Sequence, residues 1–283
     1  MTTTSDPTAT SVGTAGVDVK RGAADEIPTG PIWLLKDSWT EATRHLRAMP
    51  RNPELLIFAT IQPIMFVVLF VYVFGASVDV PIDYKQYVVP GIFCQTVLFN
   101  SAFTGVGVAD DLSKGIIDRL RSLPMYQGGV LVGRTLSDAV RNVLTFAVMF
   151  AVAYAVGFRV EGTIWQAFLA TALMFFFSYA FSWIQAWIGL SVGSVEAANS
   201  AGFLWMFPLT FVSSAFVDVN NMPSWLQPFA RNNPFTILTN ACRNLYNGVP
   251  AGSDGWLALA WAAGIAIVFA VIAIRKFSRS TSA

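Results

Sequence analysis

The sequence predicts an all-α membrane protein with six transmembrane helices. Four observations carry this. The 283-residue chain is 54% hydrophobic and only 12% charged, where a soluble domain carries about 25% charged residues. Its apolar residues fall in continuous runs, not in the alternation of about ten residues that marks a membrane strand. Six runs reach about 20 residues, enough for a helix to cross the roughly 30 Å hydrocarbon layer. Lys and Arg are also divided unequally between the two sets of connecting segments, as orientation in a membrane requires.

The elements follow in order. Residues 1–30 are rich in Thr, Ala and Gly and hold no apolar run. They lack the 7–15-residue apolar core of a signal peptide and are expected to form a disordered cytoplasmic tail. Residues 31–283 form the membrane domain. It opens with an amphipathic stretch in which Ile32, Leu35, Trp39, Ala42 and Leu46 recur at three and four, between Pro31 and Pro50. This predicts a helix lying in the interface plane; packing on protein is the alternative. The six spans are predicted at 54–75, 88–109, 131–157, 164–192, 199–217 and 256–275. The third and fourth are long enough to tilt.

An even number of spans puts both termini on one side. That side holds Lys20, Arg21, Lys36, Arg44, Arg47, Arg51, Lys114, Arg119, Arg121, Arg134, Arg141, Arg275, Lys276 and Arg279; the other holds only Lys85, Arg159, Arg231 and Arg243. Basic residues mark the cytoplasm, so both termini are expected there. Net charge is only +1, which gives no reason to expect a nucleic-acid partner.

Between the second and third spans lies DDLSKGIIDRLRSLP, residues 110–124. Leu112, Ile116, Leu120 and Leu123 are spaced four, four and three, one face of a short helix. Lys114, Asp118 and Arg121 share another face and are spaced to pair, and Pro124 ends the run. The pattern predicts an amphipathic cytoplasmic helix, and from pattern alone it serves equally as a surface helix with no partner. On the other side, 218–255 mixes helix-breaking Pro and Asn with Trp225, Leu226, Phe229, Phe235, Ile237, Leu238 and Leu245. Short helices dipping back into the outer leaflet fit this mixture, provided protein or a wet cavity surrounds them.

The chemistry of the chain is sparse. No G-x-x-x-x-G-K-[ST] ATP-binding motif and no H-E-x-x-H zinc motif occurs, so no catalytic, cofactor or metal residue is assigned. A membrane enzyme would need a nucleophile–base pair, and the single histidine, His45, supplies none. Cys94 and Cys242 are isolated and have no metal-ligand spacing. Asp138 lies four after Arg134 and three before Arg141; a structural ion cluster and a proton relay are both open. Neutral polar residues do enter the spans: Gln62, Gln95 and Asn100, and a stripe of Ser178, Ser182 and Gln185. Either they bond helices together or they line a mildly polar path.

Two stretches resemble a known family. DDLSKGIIDRLRSLPMYQGGVLVGRTLSDAV after span two is similar to a charged stretch ending in Leu-Pro before a small-residue turn. MPSWLQPFARNNPFTILTNACRNL before span six is similar to an outer P-x-x-L-x-x-(hydrophobic)-x-x-x-N-P pattern. Both are features of the membrane subunit of type-2 bacterial ABC transporters, in particular the daunorubicin-resistance permeases. The resemblance covers nearly everything after about residue 31. It implies a permease of the bacterial cytoplasmic (inner) membrane, working as a dimer of two copies on a cytoplasmic ABC ATPase dimer that holds ATP and Mg. This chain itself would then be neither an enzyme nor a cofactor binder.

The resemblance further implies that the 110–124 segment is a coupling helix. Asp111, Lys114, Asp118, Arg119 and Arg121 would face the ATPase, while Leu112, Ile116 and Leu120 seat the helix. Arg231, Asn232, Asn233 and Pro234 would belong to an outer gate, with fold support through capping as the other reading. Gln62, Gln95, Asn100, Ser178, Ser182 and Gln185 are the candidates for the substrate path. The consecutive Phe175, Phe176 and Phe177 point in different directions and are expected to pack and to meet lipid. The expected cargo is an amphipathic drug-like small molecule or a lipid. A lipid-linked polysaccharide is the alternative, and an ion-coupled secondary carrier is the rival from another class.

Overall fold

The computed structural model describes residues 53–75, 78, 80, 82–116 and 127–279. All regular elements among them are helical. The predicted interfacial helix, the tail and residues 117–126 lie outside the described residues.

Among the described residues nine α-helices follow one another: α1 (Pro53–Val68), α2 (Tyr84–Asn100), α3 (Ala102–Ser113), α4 (Gln127–Val156), α5 (Ile164–Gly189), α6 (Val195–Phe211), α7 (Gln227–Asn232), α8 (Pro234–Tyr246) and α9 (Gly252–Arg279). A π-helical turn, Leu69–Phe74, extends α1. Four helices among the described residues are long and apolar enough to cross a membrane: the joined α2–α3 over Tyr84–Ser113, then Leu131–Val156, Ile164–Gly189 and Gly252–Phe277. They overlap the second, third, fourth and sixth predicted spans. The first predicted span is α1 with its π turn, of which Ile61–Phe74 forms a shorter apolar helix. The fifth is α6, 17 residues long or about 25 Å at 1.5 Å per residue. It stops at Phe211 because Val212 leaves helical geometry at ψ 62°.

Capping side chains fix where these helices begin. Asp83 caps α2 through the Lys85 amide. Thr163 and Gln166 form a reciprocal capping box at α5, and Ser194 caps α6. Each satisfies amide donors that have no partner inside the helix. Ser101 joins α2 to α3, its hydroxyl donating to Leu98 O at 2.6 Å.

Helix α2–α3 is the axis of the bundle. In its most apolar stretch 83% of residues are buried, against 17% for α9. Alternation of small and large residues lets its neighbours approach. Phe93 packs against Phe146, Phe158 and Tyr246 with ring centroids 5.1–6.1 Å apart. Gly105 of α3 and Gly189 of α5 meet backbone to backbone: a Cβ on Gly105 would stand 2.5 Å from Gln185 O, and one on Gly189 2.3 Å from Gly105 O. One apolar cluster fills the centre and the Tyr84 end. A second, around Val108, Leu131, Trp183, Ala186, Ala273 and Phe277, fills the Lys114 end. The three consecutive phenylalanines diverge as expected. Phe177 stacks on Phe181 at 4.7 Å, Phe175 meets Phe146 edge-on at 5.4 Å, and Phe176 lines an open groove between α5 and α9.

Candidate functional site

At the Lys114 end, α3 runs through Ser113, and Lys114 and Gly115 turn the chain, Gly115 at φ +65°. A left-handed backbone there favours glycine and ends the helix. The single helix predicted across Leu112–Leu123 is therefore broken: Leu112 belongs to α3, where it packs on the second apolar cluster. Lys114 reaches back to Asp110 at 2.7 Å on the exposed face. Ile116 is half-buried. Asp118, Arg119, Leu120 and Arg121 lie outside the described residues.

Asp111 is turned inward onto Arg134 of α4, with Arg134 Nη1 2.7 Å from Asp111 Oδ2. Arg134 Nε stands 4.0 Å from Asp138 Oδ2, and Arg141 Nη2 donates to Asp138 Oδ1 at 3.0 Å. The Thr104 hydroxyl donates to Asp138 Oδ2 at 2.5 Å. Arg141 also reaches Asn100 O at 3.3 Å and lies over the Phe103 ring. The spacing of 134, 138 and 141 anticipated three members of this cluster. Asp111, 23 residues away in sequence, enters only through the packing of α3 on α4.

The six polar candidates for a path separate into three places. Gln62, Gln95 and Asn100 meet, with Pro63, Phe66, Thr96 and Phe99, around a notch of about 10 Å³ between α1 and α2. The side-chain nitrogens of Gln95 and Asn100 have no hydrogen-bond partner there, while Gln62 is partly exposed. Ser178 and Ser182 line a second notch with Thr104, Asp138 and Asn142. Ser178 accepts from Asn142 Nδ2 at 3.0 Å and donates to Val97 O. Gln185 is fully buried; it donates to Met206 Sδ at 2.7 Å and to Gly202 O at 3.4 Å, which pins α5 to α6.

A row of phenylalanines borders the first notch. Phe66 stacks on Phe70, Phe70 on Phe216 at 4.4 Å, and Phe216 on Phe211, which continues through Phe207 to Phe203 and Phe99. These rings join the α1 face to the α6 face. Around them Ile61, Met65, Tyr72, Leu204, Phe207 and Phe211 are exposed.

At the Tyr84 end the predicted gate residues have different duties. Arg231 and Asn232 are exposed. Arg231 donates to Asn220 Oδ1 at 2.9 Å, and Asn232 to Pro228 O at 2.9 Å. Asn233 is only 3% exposed. Its Oδ1 accepts from the Phe235 amide at 2.8 Å, capping α8, while Nδ2 donates to Leu209 O and Val212 O, both at 2.7 Å. Pro234 takes the first helical position of α8, where its missing amide costs nothing.

Arg243 was counted only as an outer charge in the sequence, yet it is the centre of this end. It donates from Nε to Tyr87 O at 2.9 Å, from Nη1 to Asn240 Oδ1 at 3.1 Å and from Nη2 to Ser214 O at 2.5 Å. Its guanidinium lies 3.6 Å from the centre of the Tyr87 ring. Burial pushes its pKa down, opposed first by Tyr87. The signal was present: Thr236, Asn240 and Arg243 recur at four and three, and Thr236 and Asn240 bond Ser214 as well.

Both cysteines are free and buried. The turn Gly189–Gly193 spells G-L-S-V-G, a pattern that in esterases places the serine between a strand and a helix. Here Ser191 follows a helix, donates to Trp187 O and accepts from Lys276 Nζ at 2.8 Å; no histidine stands among the described residues.

The sequence pattern of ABC-2 type transporters matches residues 38–246. The chain belongs to the ABC-2 type transporter family. A daunorubicin resistance ABC transporter permease protein of Streptomyces coeruleorubidus is 31% identical over 239 residues, which cover 84% of each chain. A probable doxorubicin resistance ABC transporter permease protein of Mycobacterium tuberculosis is 26% identical over 233 residues, 82% of this chain and 84% of that one. A probable multidrug ABC transporter permease of Escherichia coli is 24% identical over 173 residues, 58% of this chain and 45% of that one. As an ABC-2 permease the chain is a membrane protein, and membership implies association with an ABC ATPase subunit.

Proposed function

We propose that this ABC-2 permease is the membrane-spanning subunit of an ATP-driven exporter that moves amphipathic, drug-like molecules or lipids out of the cell. On this reading it crosses the bacterial cytoplasmic membrane six times, α1 and α6 included, with both termini cytoplasmic. Two copies stand on two cytoplasmic ATPase subunits, which hold ATP and Mg. Lys114 and Ile116 from the described residues, and Asp118, Arg119, Leu120 and Arg121 beyond them, meet the ATPase. Arg231 and Asn232 face the outer exit. Asn233 and Pro234 support the fold of that exit.

The observation that carries the choice of cargo is the α1–α6 face. It joins exposed aromatic rings to a notch of uncharged amides at Gln62, Gln95 and Asn100. Rings offer stacking surfaces, and the notch behind them is lined by uncharged amides, two of whose buried nitrogens have no partner. That combination suits an amphiphile with a planar apolar body. A lipid-linked glycan would want a broader polar lining than this face presents. The names of the relatives, which speak of daunorubicin, doxorubicin and multidrug permeases, agree with the first reading.

The test is a triple variant, Lys114→Ala with Asp118→Ala and Arg121→Ala, assayed in inverted vesicles that contain a cassette ATPase co-purified with the chain. Insertion and ATP hydrolysis are expected to persist while ATP-dependent accumulation of daunorubicin is lost. Normal accumulation would refute the assignment.

A further inference from the structure

The coupling segment of the export reading follows α3 in sequence and precedes α4. We propose that Arg134, held by Asp111, Asp138 and Gly107, is the positioning residue that locks these two roots into one rigid body, so that displacement of the segment moves both helices together. The inference rests on the export reading above and deepens it.

The geometry is built for this purpose. Arg134 lies seven residues into α4, and its Nη1 reaches Asp111 Oδ2, two residues before α3 ends, at 2.7 Å. The guanidinium lies flat against α3 at Gly107, where a Cβ would fall 1.3 Å from Nη2 and 2.9 Å from Nη1. Only glycine leaves room for it. On its other edge Arg134 approaches Asp138, which is held in turn by Arg141 at 3.0 Å and by the Thr104 hydroxyl. Two cations and two anions thus stand together, with side-chain exposures of only 15% for Arg134 and Asp111, 13% for Arg141 and 7% for Asp138.

Stability alone does not explain this set, because apolar residues of similar volume usually stabilise a buried site as well as an ion cluster does. An ion cluster adds direction. The planar, multi-donor guanidinium fixes the angle and register of its partners in a way that a lysine or a methyl group does not. Beside it Val108, Leu112 and Leu131 pack on Trp183 and Phe277 in one apolar cluster. A push on the segment therefore meets a joint that has no slack, and passes into α3 and α4 instead of being absorbed at a hinge.

The test compares Gly107→Ala, Arg134→Gln and the double variant in the same inverted vesicles, with daunorubicin as probe and with ATP hydrolysis read in parallel. Gly107→Ala evicts the guanidinium while leaving every charge in place. Each single variant is expected to lower the amount of probe moved per ATP at least about tenfold, and the double variant to be no worse than either alone, as for residues acting through one contact. Unchanged probe per ATP, or transport and hydrolysis falling in proportion, overturns the proposal. If Arg134→Gln does not insert, Arg134→Lys and Gly107→Ala decide, since neither removes a charge.

Hydrogen exchange on the permease alone separates this claim from the reading beneath it. If wild type moves no probe with ATP, the export reading has failed, and exchange decides the joint by itself. Simultaneous loss of amide protection over 108–116 and 127–134 in Gly107→Ala supports it, and unchanged protection overturns it.

Discussion

Asn233 offers the sharpest quantitative test of how the outer end is held. Its side chain performs two jobs at once. The Oδ1 caps α8 through Phe235 N at 2.8 Å, and Nδ2 covers Leu209 O and Val212 O at 2.7 Å each. Those carbonyls belong to the end of α6, where the helix supplies no partner. Replacing Asn233 by alanine removes a cap worth about 1 kcal/mol. It also strands two partly buried carbonyls at about 1 kcal/mol each, the low end for such groups. The sum is about 3 kcal/mol. At roughly 2–4 °C per kcal/mol for a chain of this size, the apparent Tm should fall by about 6–12 °C. Asn233→Asp separates the two jobs. It keeps the cap acceptor but turns a carboxylate oxygen onto two carbonyls, so it should be at least as damaging as alanine. The assay is thermal unfolding of the purified protein in detergent. A melting curve for Asn233→Ala that overlays wild type, or an aspartate variant more stable than the parent, would refute the reasoning.

Two further outcomes follow from packing and exposure. Gly105→Ala drives a Cβ to 2.5 Å from Gln185 O and should cost about 1–3 kcal/mol by overpacking. Gly264→Ala, where nothing stands within 4 Å of the added atom, should be neutral or slightly stabilising in its helix; equal melting temperatures for the two would contradict the close α3–α5 crossing. An impermeant maleimide should leave wild type unlabelled in intact cells. Both thiols are fully buried, and burial, helped by Cys94, pushes the Cys242 pKa up. Asn232→Cys, at an exposed position, should label from outside. Labelling of that variant only in inverted vesicles would reverse the proposed orientation.

Helix placement was legible because lipid is an unambiguous solvent. Each predicted span overlaps a helix, since a run of about 20 apolar residues leaves the backbone no other way to satisfy itself. Boundaries were less legible where a single backbone angle decides them. Val212 ends α6 six residues before the predicted limit at 217, and the positive φ of Gly115 cuts a helix that side-chain periodicity alone would carry on.

The polar residues show the same division between local and distant information. Arg134, Asp138 and Arg141 are neighbours on one helix, so spacing predicted their pairing. Asp111 joins them across α3 and α4, and nothing in its immediate sequence points to Arg134. Gln62, Gln95 and Asn100 converge although 33 residues separate the first two. Gln185, in phase with Ser178 and Ser182, leaves their stripe because Met206 and Gly202 of α6 offer it partners. Arg243 was hidden for a different reason: a lone arginine in an outer segment normally stays solvated, and only the carbonyls of the 214–215 turn together with the Tyr87 ring make its burial tolerable.

The central claim is that this permease moves cargo only when a companion ATPase drives it. The most direct measurement is transport of daunorubicin into proteoliposomes that hold the purified chain alone, or the chain with its cassette ATPase, each with and without ATP. The account predicts uphill movement only when ATPase and ATP are both present. Accumulation against a gradient by the chain alone would contradict it.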